Sequence, residues 1–266
     1  MDYSLPRISI ITPSLNQGEF IEQTILSILN QGYPDLESIV VDGGSTDNTL
    51  DILRKYEHQL SWISEPDRGQ SHAINKGLRM ATGQVVAYLN SDDLYQPKAL
   101  IRVGEFFARQ SKAEWLTGKC YIIDVDNHEI RKTITRYKNF WLKLKSYQVL
   151  LILDYISQPA TFWRRSIVDE VGFFDESLFY TLDYDYSLRV GRCARLWVID
   201  AYLASFRIHT ASKTTYSTSK QFHSDLEVAK RYSSSIVIRY LHTLHNLLII
   251  SIYKSIFIRD NPPFPG

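Results

Sequence analysis

Val85-Val86-Ala87-Tyr88-Leu89-Asn90-Ser91-Asp92-Asp93 is an apolar run that stops abruptly on an amide, a hydroxyl and two carboxylates. A short run of this kind, bounded by polar residues, reads as a buried strand. Working outward from it, the same punctuation recurs. Arg7–Thr12 reads as a first strand ending at Pro13, Ser38–Val41 ends at Asp42-Gly43-Gly44-Ser45, and Ser61–Ser64 runs into Glu65 to Arg68. Helical patterns alternate with these strands. Glu19–Asn30 carries Phe20, Ile21, Ile25, Ile28 and Leu29 as one apolar stripe, and Gln70–Ala81 forms another helix. Thr46 is expected to cap the helix between them, with Asp47 favourable in its first turn. Strands alternating with helices predict an α/β fold whose mostly parallel central sheet is flanked by helices. Ligands of such sheets bind beyond the carboxyl ends of the strands. Thr12, Asp42, Glu65 to Arg68 and Asn90 to Asp93 are therefore expected to converge on one site.

The second half is less regular. Glu114–Asp124 and Glu129–Arg136 are expected to pair as a smaller sheet through Val125-Asp126-Asn127-His128. Pro97–Gln110 and Trp141–Leu153 read as helical, Gln158-Pro159 opens a strand through Phe162-Trp163, and Ser166–Val171 and Asp183–Val190 are further helices. No linker-like stretch separates the halves. Residues 1–235 are read as a single domain, with a nucleotide-binding half over about 1–112 and an acceptor half over about 113–215. Ile236 to Ile258 is the most apolar stretch, interrupted by Arg239, His242, His245 and Lys254. A spanning helix needs about 20 predominantly apolar residues, so residues 236–266 are expected to form an amphipathic helix and tail. That helix would lie on the inner membrane surface, meet a partner, or pack on its own domain.

At 266 residues the chain can bury one sizeable core. Its formal net charge of +1 gives no field that would draw it to nucleic acid. Cys120 and Cys193 share no short spacing, which argues against a disulfide framework and suits a reducing compartment. The first seven residues carry no signal-peptide pattern, so a cytoplasmic location is expected.

Each strand-end motif has a chemical reading beside a structural one. Adjacent carboxylates at Asp92-Asp93 repel unless a cation lies close by. A hard divalent ion, Mg²⁺ or Mn²⁺, would satisfy them and also bridge a diphosphate. A helix cap before Pro97–Gln110 is the structural alternative. Asp42 would accept a base N–H or a ribose hydroxyl where Gly43 and Gly44 let a planar group approach, or the stretch is simply a strand-to-helix turn. Arg68, beside Gly69, would bind base or phosphate, with an ion pair to Asp67 or Glu65 the competing role. Gly77 inside a helical pattern costs about 1 kcal/mol relative to Ala, which close packing of that helix on the sheet would explain. Phe162-Trp163, Phe173-Phe174 and Phe179-Tyr180 read as core for the most part, with sugar stacking the alternative.

Thr12-Pro13-Ser14-Leu15-Asn16, Asp42-Gly43-Gly44-Ser45-Thr46-Asp47, Asp67-Arg68-Gly69 and Ser91-Asp92-Asp93 stand in the order and spacing of the family 2 glycosyltransferases, which the chain resembles. Asp183-Tyr184-Asp185-Tyr186-Ser187-Leu188-Arg189 is similar to their acceptor-side motif. The resemblance runs from about Arg7 to His209. It implies a GT-A fold and inverting, metal-dependent transfer from a nucleotide-diphosphate sugar, UDP-linked as in the commonest members. The acceptor it implies is a carbohydrate or lipid-linked saccharide in bacterial surface polysaccharide or lipopolysaccharide assembly. By motif position Thr12, Pro13, Ser14, Asn16, Asp42, Gly44, Arg68, Ser91 and Asp92 would bind the nucleotide sugar, with Asp42 on base or ribose and Asp92 on ribose. Asp93 would coordinate Mn²⁺ or Mg²⁺, and Asp183 would be the general base. Arg207-Ile208-His209 resembles a loop that closes over the diphosphate, making His209 a third metal ligand or a phosphate partner. Many members begin the metal motif with Asp where this chain has Asn90.

Two further readings set the contrast. A nucleotide-dependent oxidoreductase would want G-x-G-x-x-G after the first strand, where Pro13-Ser14-Leu15-Asn16-Gln17-Gly18 stands instead. A nucleotide-sugar binding module on a degenerate transferase fold would not need Asp183, because binding alone requires no base. Asp183 and Asp185 compete for that role, and residues two apart on a helix point about 200° away from each other.

Overall fold

The computed structural model describes residues 4–210 and 218–260, with side chains for 4–210 and 222–251. Four strands of the first half form the parallel part of one sheet: β1 (Ile8–Ser14), β2 (Leu36–Asp42), β3 (Ser61–Ser64) and β4 (Val85–Tyr88). The second half adds β5 (Leu94–Tyr95), β6 (Trp115–Ile123), β7 (Thr161–Arg164) and β8 (Leu196–Arg207). The strand order is β3-β2-β1-β4-β7-β6-β8-β5. β7 is antiparallel to both β4 and β6, while β6 and β8 run parallel. Residues of β1 and β4 are buried throughout, as an apolar strand covered on both faces must be.

The helices are α1 (Ile21–Leu29), α2 (Thr49–Lys55), α3 (Gln70–Met80), α4 (Ala99–Arg109), α5 (Lys132–Leu142), α6 (Tyr147–Leu150), α7 (Arg165–Val171), α8 (Leu182–Cys193), α9 (Thr218–Tyr232) and α10 (Ile236–Asp260). One core joins Ile11, Val41, Ile74 and Leu78 to Trp163, Tyr186 and Leu188, and so runs from α3 across the sheet to α8. A second joins Ile10, Val85, Val103 and Phe107 to Phe162 and Leu203 under α4. A Cβ at Gly77 would meet the Ile11 side chain at 2.3 Å, so α3 lies against β1 at a distance only glycine permits.

Several expectations are corrected. Glu129–Arg136 is not a strand: after a single bridge between Ile123 and Glu129, Arg131 takes φ 50° and the chain turns into α5. The second half therefore extends the main sheet instead of building a smaller one. The helix expected over Trp141–Leu153 is broken at Lys145, which takes φ 50°, leaving only α6. Thr46 does not cap α2. Its N–H is held by Asn16 Oδ1 at 2.8 Å, and Asp47 Oδ1 accepts from Thr49 N–H at 3.0 Å. Strands β5 and β8 and helix α9 were not foreseen.

The tail is helical, as expected, but its polar side faces inward. His242 and Asn246 are buried against the domain while Val237, Leu244 and Leu247 are exposed. No helix among the described residues is long and apolar enough to cross a membrane.

Candidate active site

A cleft of about 840 Å³ opens where the carboxyl ends of β1 and β4 meet the second half of the chain. Pro13, Ser14, Asp67, Gln70, Ser91 and Asp92 line its donor-side wall. Asp154, Asp183 and Asp225 line it elsewhere, and α5 and α10 contribute Lys138, His242 and His245. This volume is in the range that encloses a small organic ligand.

The loop after β4 divides its two carboxylates. Asp92 faces the cleft, and its Oδ2 lies 3.0 Å from His209 Nε2. Asp93 is fully buried, does not line the cleft, and spends both oxygens internally. Oδ1 accepts from Arg207 N–H at 2.9 Å and Oδ2 from Asn90 Nδ2 at 3.2 Å. Burial, reinforced by the charge of Asp92, raises the Asp93 carboxyl well above the usual carboxylate range. An acid so placed is turned away from the cleft. Of the two residues expected to hold the metal, His209 therefore lines the cleft and Asp93 does not, whereas Asp92 and His209 form an oxygen–nitrogen pair open to it.

Arg207 holds this arrangement together, a role its place in the Arg207-Ile208-His209 segment does not announce. Its side chain is buried. Nε donates to Asp92 O at 2.8 Å, Nη1 to Asp124 O and Val125 O at 3.2 and 3.0 Å, and Nη2 to Gln23 Oε1 at 3.1 Å. Phe20 packs on both neighbours, 5.1 Å from the Arg207 guanidinium and 4.6 Å from the His209 ring.

The remaining donor-side residues divide into those that line the cleft and those that shape it. Pro13, Ser14 and Ser91 line it. Thr12 is buried one residue behind them. Asn16, at φ 52°, clamps the Ser45–Thr46 loop through its N–H and its Oδ1. Asp42 is fully buried. Its Oδ2 accepts from Gly44 N–H, Ser45 N–H and Ser64 Oγ at 3.0, 2.9 and 2.6 Å, and its Oδ1 from Ser45 Oγ. Its expected contact with a base is thus replaced by a structural lock, which Gly44 at φ 89° allows to turn. Arg68 points to neither Asp67 nor Glu65 but pairs with Glu176 at 2.6 Å, and it does not line the cleft. Asp67 does, beside Gly43, where an added Cβ would meet its Oδ2 at 2.6 Å.

Helix α8 divides its own pair of carboxylates. Asp183, in the first turn, lines the cleft. Asp185 is buried, with Oδ2 accepting from Arg189 Nε at 3.0 Å and Oδ1 from Tyr232 Oη at 2.6 Å. Two acids near Asp183 had no sequence motif to mark them. Burial pushes Asp154 up to about 6 against the pull of Lys138, and burial raises Asp225 with help from Asp154 and Asp183. Of the aromatic residues, Phe162, Trp163 and Phe174 are core, and Phe179 and Tyr180 line the cleft.

A separate group, Asp124, Asp126 and His128, has ligand atoms within 4.8 Å of one another. It lies in the turn after β6 and outside the cleft lining. Asp124 Oδ1 accepts from the N–H groups of Asp126 and His128 at 3.0 and 2.9 Å, so the turn itself accounts for the cluster.

Comparison with known proteins places this geometry. The family model described as glycosyl transferase family 2 matches residues 9–172. An uncharacterized glycosyltransferase of Rickettsia prowazekii is 29% identical over 213 residues, covering 79% of this chain and 66% of the relative. A putative teichuronic acid biosynthesis glycosyltransferase of Bacillus subtilis is 42% identical over 117 residues, covering 42% and 46%. A PGL/p-HBAD biosynthesis glycosyltransferase of Mycobacterium bovis is 32% identical over 190 residues, covering 69% of each. The chain thus spans 66% and 46% of the length of the first two. Among solved structures, S. aureus TarS 1-349 in complex with UDP-GlcNAc has a TM-score of 0.65 at 20% identity, covering 85% of this chain and 66% of that one. The mannosyltransferase PcManGT of Pyrobaculum calidifontis, in complex with GDP-Man and Mn²⁺, has a TM-score of 0.69 at 20% identity, covering 92% and 70%. Both share the GT-A fold with this chain.

Proposed function

Because the chain belongs to glycosyl transferase family 2, we propose that it is an inverting, metal-dependent transferase moving a sugar from a nucleoside-diphosphate donor to an acceptor hydroxyl. One observation carries this reading. Asp92, His209 and Asp183 reach a single cleft from separate elements: the loop after β4, the chain just past the end of β8 and the first turn of α8.

Inversion is a single displacement. The acceptor oxygen forms a bond to the anomeric carbon as the bond from that carbon to the diphosphate breaks. Asp183 takes the acceptor proton in that step, a general-base contribution of about 10²–10⁴-fold. Asp92 and His209 would hold the divalent ion: the carboxylate oxygen suits Mg²⁺ or Mn²⁺, and the imidazole nitrogen beside it favours Mn²⁺, the softer of the two. When bound, the ion supplies charge stabilisation for the departing diphosphate. Pro13, Ser14, Asp67 and Ser91 bound the donor end of the cleft, and Asp42 and Asn16 hold the loops that shape it.

UDP-sugars are the first donors to test, because TarS is described with UDP-GlcNAc. GDP-sugars come second, because PcManGT is described with GDP-Man. We assign the acceptor to bacterial surface glycans, as a carbohydrate or lipid-linked saccharide, on the printed roles of the Bacillus and Mycobacterium relatives. Both cysteines are unpaired, which suits a cytoplasmic enzyme at the inner membrane face.

The test is a donor screen by thermal shift, followed by nucleoside-diphosphate release with Mn²⁺, Mg²⁺ or excess EDTA. A ligand at 100 times its Kd stabilises by about 2.7 kcal/mol, so the correct donor stands out. Full turnover in chelator would remove the metal. A donor that shifts melting yet never turns over, with any saccharide acceptor, would leave a binding module.

A further inference from the structure

Helix α10 packs the wrong way round for a helix that only completes a core. Its inward side mixes Ile238 and Ile249 with three buried or half-buried polar side chains. His242 Nδ1 donates to Leu151 O at 2.8 Å, His245 Nε2 meets Tyr137 Oη at 3.0 Å, and Asn246 Nδ2 donates to Phe222 O at 2.7 Å. Its outward side carries Ile236, Val237, Leu241, Leu244, Leu247 and Leu248, all exposed, with Leu247 at 62% and Leu248 at 58%. A continuous apolar face of this kind marks an interaction surface, because an ordinary soluble surface disperses such residues.

A second patch lies beside it. Residues 131–145 contain six cations, Arg131, Lys132, Arg136, Lys138, Lys143 and Lys145, and no carboxylate. Glu129 pairs with Lys132 at 3.7 Å. Arg136, Lys143 and Lys145 are exposed, alongside Phe140 at 61% and Leu144 at 53%. Helical spacing joins the two patches. Tyr137 of α5 touches His245 of α10, with nearly parallel rings 6.2 Å apart. Phe140 stands three residues from Tyr137, on the same flank of α5, and Leu144 lies in the turn just past the end of that helix. Leu241 and Leu248 stand four and three residues from His245, on the same flank of α10. The apolar flanks of the two helices therefore adjoin, with cations along the α5 edge.

We propose that α5 and α10 together form a docking surface for an anionic lipid bilayer, seating the acceptor-side end of the cleft at the headgroups. Apolar residues flanked by lysine and arginine are what an interfacial anchor needs. A second copy of the chain fits less well. A two-fold interface brings the same patch against itself, so the exposed cations Arg136, Lys143 and Lys145 would face their own kind. Both helices also line the cleft, through Tyr137 and Lys138 on one and His242 and Asn246 on the other. A chain docked here would meet a lipid-linked acceptor at that wall. The surface itself does not depend on the transferase reading.

Flotation of the full chain with phosphatidylcholine vesicles, with and without a third of phosphatidylglycerol, tests the proposal. Wild type is expected to float with the anionic vesicles and to be released by high salt. Leu244→Glu with Leu247→Glu should abolish flotation, and Arg136→Gln and Lys143→Gln should each weaken it about fivefold, the effect of one cation near such a surface. Circular dichroism and nucleotide release with a soluble acceptor should stay unchanged in all variants, so failure here leaves the transferase reading standing. Recovery of wild type in the soluble fraction, equal binding to neutral vesicles, or a dimer that Leu244→Glu dissociates without any flotation would overturn it.

Discussion

The donor side and the acceptor side of the cleft solve one problem in different ways. Each presents two carboxylates within three residues of chain, and each exposes one while burying the other. At the end of β4 the two are adjacent, and Asp93 turns in to take the Arg207 N–H while Asp92 stays in the cleft beside His209. On α8 they are two apart, and helical geometry alone sends Asp185 inward to Arg189 and Tyr232 while Asp183 faces the cleft. Their buried members differ in kind. Asp185 has a cation and a phenol as partners. Asp93 accepts from neutral donors, and burial, reinforced by the charge of Asp92, raises its carboxyl well above the usual carboxylate range. A carboxylate pair in sequence therefore announces a site, but the partner of each carboxylate decides which member reaches the cleft.

The sharpest way to break the comparison is to replace the acids that line the cleft. Asp183→Asn should retain donor affinity and lose at least ~10²-fold in kcat, as removal of a base used only in the transition state requires. Turnover near the wild-type rate would put the base elsewhere. Asp92→Asn should lower metal affinity by at least ~10-fold and donor affinity with it, since a ligand itself should cost no less than the outer-shell groups that support one. Asp93→Asn should leave metal titration close to wild type. If calorimetry finds Asp93→Asn the more damaging of the two, the division at the end of β4 is the reverse of the one described.

The buried acids are read through stability instead. Asp185→Asn should cost about 1.5–3 kcal/mol, the range for a hydrogen bond to a charged group, with kcat per folded molecule preserved. Denaturant melts beside active-site titration check both halves of that statement. An Asp185→Asn variant that folds normally but is inactive would place Asp185, not Asp183, in the chemistry.

How far the chain could be read without coordinates follows the same divide. Strands β1 to β4 and helices α1 to α4 announce themselves, because short apolar runs alternate with amphipathic periods and polar residues close each strand. Gly77 and Asp183 were legible for similar reasons, one from an anomaly of composition in a helix and one from a motif. β8 was not. Leu196–Arg207 mixes Asp200 and Tyr202 into a strand that is buried only in parts, so no single period marks it. Its importance comes from its far end, where Arg207 ties the loop after β4 to the turn at Asp124 and Val125, contacts made more than 80 residues apart. Long-range hydrogen bonds of that kind leave no local signal. Asp42 and Arg68 show the opposite failure: both sit in a recognisable motif, yet one is closed off by its own loop and the other is drawn to Glu176. Helix α10 was legible as amphipathic, but which side would face the domain depended on Leu151, Tyr137 and Phe222 offering polar partners.

The smallest effect concerns Asp154, which belongs to neither pair and tests whether the acceptor wall holds uncompensated charge. Its pKa is about 6 in the folded chain, against 3.8 for an unperturbed carboxyl. The folded state therefore binds this proton more tightly than the unfolded chain does. The stability it contributes is fully present below about pH 4 and is lost as pH rises through about 6. A shift of about two units corresponds to at most ~3 kcal/mol, and water entering the cleft should reduce that to ~1–2 kcal/mol. Asp154→Asn removes the charge and retains an oxygen for the Ile156 N–H, which donates to Asp154 Oδ1 at 3.2 Å. Denaturation at pH 7.5 should then find the variant more stable than wild type, and at pH 4 the difference should vanish. Equal stability at both pH values would mean that Lys138, whose charge opposes the shift, already compensates Asp154, and the negative charge of the acceptor wall would fall to Asp183 and Asp225.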